Sequence, residues 1–158
     1  MAAKSNLTED ISDREIVSTR VFAAPRESVY AAFSDPGRLV QWWGPKGFTS
    51  TLHQFDLRPG GQWRLTLHGP DGTDHPNDKE FLEVRPLERI VFHHRQSRHG
   101  FHMTMTFAAQ GEQTAVTWLM QFESAADLAP LKRLIAEANE QNLDRLAHHL
   151  QLIQQAKT

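Results

Sequence analysis

Three polar side chains stand where strand alternation turns them toward apolar neighbours: His53, Glu80 and His94. The side-chain period of a strand is two, so His53 shares a face with Phe55 and Leu57, Glu80 with Leu82 and Val84, and His94 with Ile90 and Phe92. A carboxylate among apolar groups has a raised pKa and a buried imidazole a lowered one, the tuning used in general acid–base chemistry. Two readings follow. The three form a polar cluster that orients a ligand or moves a proton, or a one-residue bulge or strand end returns each to solvent or to an ordinary hydrogen bond.

The remaining chemistry is sparser. His93-His94, His99, His102 and His148-His149 invite a metal reading, but adjacent strand residues point to opposite faces and no H-E-x-x-H spacing occurs. No metal and no cofactor are expected. The absence of Cys removes disulfides, thiolate zinc sites and Cys nucleophiles, and is compatible with a reducing cytosol. Gly60-Gly61 and "GPDG" are turn glycines, and Ser28, Ser34 and Ser124 are helix-end residues without a nucleophile elbow. A formal charge of −2 with scattered Lys and Arg gives no footprint for nucleic acid. No apolar run approaches the ~18–20 residues that span a bilayer, and the N-terminus lacks the apolar region of a secretory signal, so a cytoplasmic protein is expected.

The elements that must position these groups are marked by periodicity and punctuation. Residues 1–13 are polar and read as a flexible arm, and 14–155 as a single domain. "REIVSTRVF" is a strand, and "APRESVYAAFS" a helix with Pro25 suited to its N1 position. Asp35 is a good N-cap, Pro36 a good N1, and Gly44-Pro45 a firm stop, which predicts about two turns of helix carrying Trp42 and Trp43. From Thr49 to Phe122 the pattern alternates between turn signals "RPGG", "HGPDG", "RPLE", "RHG" and "QGEQ", predicting a six-strand antiparallel meander. A helical period then runs from Pro130 through Leu134, Ala138, Leu146 and Leu150 to Ile153. The whole is an α+β helix-grip fold: a seven-stranded curved antiparallel sheet around a long C-terminal helix, with two short helices after the first strand.

"RVFAAPRESVYAAFSDPGRLVQWWGP", "DLRPGGQWRL", "LEVRPLERIVF" and "TMTF" occur in an order and spacing that resembles the activator of heat-shock-protein ATPase homologue family, in the SRPBCC (START-like, pollen-allergen-like) superfamily. The resemblance covers roughly Arg14 to Leu150. It implies a helix-grip fold with a cavity, and a link to stress response, but no shared catalytic motif.

On the apolar parity of each strand the cavity lining comprises Phe55, Trp63, Leu65, Leu67, Leu82, Phe92, Met103, Met105, Trp118 and Met120, with Glu80 and His94 as its polar members. The long helix adds Leu134 and Ala138, and the short helix Trp42 and Trp43. The same stripes also fit a solid core. At least one indole anchors the short helix, leaving the other free to line the pocket mouth; an exposed pair would instead make a docking patch. The leading expectation is a protein binding a hydrophobic or aromatic small molecule between sheet and C-terminal helix. The alternatives are a co-chaperone-like module that stimulates a chaperone ATPase, and an enzyme using pocket His or Glu as acid or base. Expected partners are a hydrophobic small molecule or a chaperone, with no nucleic acid and no membrane, in a monomer or homodimer.

Overall fold

A computed structural model describes residues 12–95 and 100–157. His99 and most of the expected arm lie outside the described residues. The elements run β1 (Glu15–Phe22), α1 (Arg26–Ser34), α2 (Pro36–Trp42), β2 (Thr49–Phe55), β3 (Gln62–His68), β4 (Asp74–Arg85), β5 (Arg89–His94), β6 (Phe101–Gln110), β7 (Gln113–Phe122), α3 (Ala125–Leu128) and α4 (Lys132–Lys157). One antiparallel sheet has the order β1-β7-β6-β5-β4-β3-β2. β2 to β7 are the expected meander, and β1 closes on β7. The fold is the α+β helix-grip arrangement, with its curved sheet against the long C-terminal helix.

Local signals account for most boundaries. Asp35 caps α2 by accepting from the Gly37 N–H at 2.9 Å, and Pro36 fills the first helical position, where its missing N–H has no cost. Gly44 then adopts a φ of 115°, which ends the helix and turns the chain toward β2. Asp35→Ala should therefore lower stability by about 1 kcal/mol, read as a shifted urea midpoint at unchanged slope. Pro25 is the N-cap of α1 rather than its first helical residue, and α4 begins two residues after Pro130. β4 starts at Asp74, five residues before the "KEFLEV" run, and α3 was not foreseen.

Two bulges change which residues face the helix. Pairing of β2 with β3 slips between Leu52 and Gln54, and pairing of β4 with β5 slips between Phe81 and Glu83. A bulge inserts one residue and reverses the parity beyond it. Leu52 and Phe55 consequently both pack on the core, with His53 turned outward to Thr66 Oγ1 at 2.8 Å. In β4, Phe81 and Val84 both face inward while Leu82 is 43% exposed. The expected inward placements of His53, Glu80 and Leu82 are thus corrected, for one shared reason.

The helix needs a correction too. The inward stripe of α4 runs through Ile135, Asn139, Asn142, Leu143, Leu146, His149 and Leu150. Leu134 lies about 100° off this stripe and is 64% exposed. α4 is tied to β1 by Arg20, whose guanidinium donates to Glu140 Oε1 at 2.8 Å and Asp144 Oδ1 at 2.9 Å. Its other anchor is Arg145, which donates to the carbonyls of Gln41, Gly44 and Pro45 at 2.9–3.3 Å and fastens the "WWGP" loop to the helix.

Candidate functional site

Between the sheet and α4 lies a cavity of about 120 Å³. Its apolar wall is Trp43, Leu67, Phe92, Phe101, Met103, Trp118 and Met120. Four polar side chains join them: Asn77 and Lys79 from β4, with Asn139 and Asn142 from α4; His94 from β5 is the fifth. Gly44 and Pro45 complete the lining. The size is that of a benzene-class cavity, well below the ~300–1,000 Å³ of common ligand sites.

Lys79 is the unexpected member. The β4 bulge puts the inward parity of this strand on Asn77, Lys79 and Phe81, and Lys79 is almost wholly buried. Its Nζ lies 3.8 Å from the Trp63 ring centre, with Trp43 at 5.4 Å and Phe92 at 5.6 Å. The amine donates to the Asn77 carbonyl at 3.3 Å and to the Asn77 side-chain oxygen. Burial pushes its pKa well below the usual lysine value, against a smaller opposing pull from Asp78. Among the described residues it has no ion-pair partner within 4 Å.

His94 sits directly across from Lys79 in the β4–β5 register, so the two side chains share the inner face at cross-strand contact range. Its ring stacks on Phe101 at 4.8 Å. Burial first, then the nearby charges of Lys79 and His93, lower its pKa to about 4. Its Nδ1 is buried and lacks a hydrogen-bond partner among the described residues, as do the indole nitrogens of Trp63 and Trp118. Asn142 holds its own wall in place, accepting from the Gly44 N–H at 3.2 Å, and Asn139 donates to Met120 Sδ at 3.2 Å.

The other expected lining residues are distributed differently. Trp42, Trp63, Leu65 and Met105 are buried in solid core beside the cavity, and Phe55 packs edge-on to Trp63 and Phe81. Glu80 is on the outer face, paired with Arg95. Ala138 is half-buried, and the neighbouring Asn139 lines the cavity in its place. Sequence reasoning passed over Asn77 and Lys79 because the parity of β4 was set by Leu82 and Val84, and over Asn139 and Asn142 because the helix stripe was drawn through apolar residues. The available signal was the adjacent pair Phe81-Leu82, in which either residue can be the inward one.

Both members of the Trp pair are buried, Trp42 at 0% and Trp43 at 7% exposure. Trp42 is the anchor. Its Nε1 donates to the Ala32 carbonyl at 3.0 Å, satisfying one of the free carbonyls in the last turn of α1. Trp43 reaches the cavity wall and tilts against Trp63 and Trp118 at 4.7 and 5.5 Å.

The histidines do not converge. His93 and His94 point to opposite faces, and on the outer face His93 bonds Glu123 at 3.0 Å and stacks on His102. His68 bridges Asp74 and Thr51, each at 2.7 Å, while His149 is buried against Arg38. Among the described residues no three His, Asp or Glu side chains are grouped as metal ligands. A larger surface groove of about 410 Å³ runs outside α4, bordered by Gln41, Lys46, Gln141, Asp144, Arg145 and His148. It lacks the aromatic walls of the inner cavity, which is the better small-molecule site on chemistry.

The family described as "Activator of Hsp90 ATPase homolog 1-like protein" matches residues 23–151. The chain belongs to this family. Solved structures support the same architecture. A protein from Nitrosomonas europaea is 20% identical, with a TM-score of 0.83 over 91% of this chain and 98% of that one. One from Chromobacterium violaceum is 27% identical, with a TM-score of 0.77 over 88% and 98%. The AHSA1 protein from Silicibacter pomeroyi is 23% identical, with a TM-score of 0.73 over 87% and 98%. No curated protein matches the chain. Membership carries the SRPBCC fold, a ligand-binding fold in general terms, and names no ligand. No helix among the described residues is long and apolar enough to cross a membrane.

Proposed function

We propose that this protein binds a small, largely apolar or aromatic molecule in the cavity between the sheet and α4. The observation that carries this reading is the composition of the wall: aromatic and Met side chains on most sides, with Lys79, His94, Asn139 and Asn142 to orient a polar end. The Trp118 N–H and His94 Nδ1, buried and without partners among the described residues, offer one donor and one titratable ring nitrogen to such a guest. Cavity size favours compact rings over long acyl chains.

The alternatives draw less support. A co-chaperone docking patch built on the Trp pair needs both indoles exposed, and both are buried. Of the acid–base set, His94 alone faces the cavity.

Trp43 and Trp118 make binding visible as a change in indole emission. Titration with benzyl alcohol, cyclohexanol and a C16 fatty acid should give saturable responses for the two compact rings and none for the fatty acid. Met103→Phe, which adds bulk to the wall at a cost of about 1–3 kcal/mol, should weaken ring binding about tenfold or more while leaving a cooperative fold. Flat titrations for both rings, with native unfolding behaviour, would reject the proposal.

A further inference from the structure

The inner cavity holds a primary amine in an arrangement that ligand binding alone does not require. A neutral amine has two N–H bonds and one lone pair. Both bonds of the Lys79 amine to Asn77 are made as donor, to the backbone carbonyl and to the side-chain oxygen, so the lone pair is left uncommitted. The rings of Trp63, Trp43 and Phe92 surround the nitrogen and exclude water from it. Asp78, adjacent in sequence, is exposed and faces Arg64 at 3.9 Å on the other side of the sheet. A lysine in such a setting is a nucleophile, because desolvation favours the uncharged form that bears the lone pair.

We propose that Lys79 captures a small aldehyde or ketone in this cavity as a reversible imine, with His94 across the strand pair as the proton relay. The inference rests on the cavity-binding reading and names the class of guest and the bond it forms. The nitrogen lone pair attacks the carbonyl carbon, a C–N bond forms, and the carbonyl π pair moves to oxygen. One proton leaves nitrogen and reaches that oxygen, giving a carbinolamine. The second nitrogen proton and the hydroxyl then depart together as water, leaving C=N. Amine plus carbonyl becomes imine plus water, with no oxidant or reductant.

The geometry supplies what each step needs. His94 is the Cα partner of Lys79, and its Nδ1 is unpartnered among the described residues. A neutral imidazole there can accept a proton from the nitrogen and hand it to the oxygen. Asn77 holds the amine to the wall, and the volume restricts the guest to a compact carbonyl compound. Burial lowers the pKa of Lys79 and so favours the free amine.

Imine formation can be locked with a mild hydride. The full chain is incubated with benzaldehyde and sodium cyanoborohydride at pH 7, then mapped by peptide mass spectrometry. Lys79 should carry the benzyl mass at least about tenfold faster than the chain's other lysines. Lys79→Met should lose that label while keeping a cooperative urea transition, and His94→Phe should slow labelling at Lys79. Labelling spread over the other lysines with Lys79 unmodified overturns the inference. If benzyl alcohol still binds in that case, the cavity-binding reading survives. If neither binding nor labelling occurs, both fall.

Discussion

Trp42→Ala should cost about 4 kcal/mol of unfolding free energy, roughly a third or more of what a domain of this kind possesses. The side chain is fully buried, and its loss leaves a cavity where three aromatic contacts converge: Phe33 at 4.8 Å, Trp43 at 5.5 Å and Trp118 at 6.5 Å. It also strips the hydrogen bond from the Ala32 carbonyl, so α1 loses its terminal partner together with its packing. At this chain length the change corresponds to a melting shift of about 10 °C. Trp42→Phe separates the two contributions. It keeps most ring contacts and removes the N–H, so it should cost only about 1–2 kcal/mol. Equal losses for both variants, measured by urea unfolding, would show that packing is not the larger part.

Acidification should weaken the fold by about 3 kcal/mol through His94 alone. The folded-state pKa of about 4 lies below the ordinary value of 6.5, so between these limits the unfolded chain binds more protons than the folded one. Stability therefore rises with pH in that window and is lost as pH falls from 6.5 through 4. The groups around the ring act in the same sense. A protonated Lys79 would oppose a second positive charge from β4, as would His93 from the neighbouring position, while Phe101 from β6 and Asn139 and Asn142 from α4 supply no countercharge. His102 and His149 are also depressed, by burial first, and add to the acid loss. His94→Phe isolates the one contribution. The variant keeps a ring to stack on Phe101, and the difference in stability between pH 7 and pH 4 should shrink by about 3 kcal/mol relative to wild type. An unchanged difference would place the acid sensitivity elsewhere.

The same residue shows how much of the site could be read in advance. β5, β6 and β7 alternate without interruption, so His94, Phe92, Met103, Met105, Trp118 and Met120 all lie on the inner face as their spacing requires. In β2 and β4 the alternation is broken once each, and there the inward residues expected from spacing included His53, Glu80 and Leu82, all of which face out. The most consequential side chain in the cavity, Lys79, was hidden by one such break. On α4, Leu134 was assigned inward because it is apolar, whereas the helix turns Asn139 and Asn142 toward the cavity.

By itself, then, the amino-acid sequence determined the order of elements, the meander with its turns, the capped Trp helix and the family, because propensities, caps and turn residues act over a few neighbouring positions. Only the tertiary structure decided which amine, imidazole and amides meet in one small apolar space. Bulges arise from how two strands fit against each other, and a helix stripe is selected by the surface it lies on, so neither is written in any single segment.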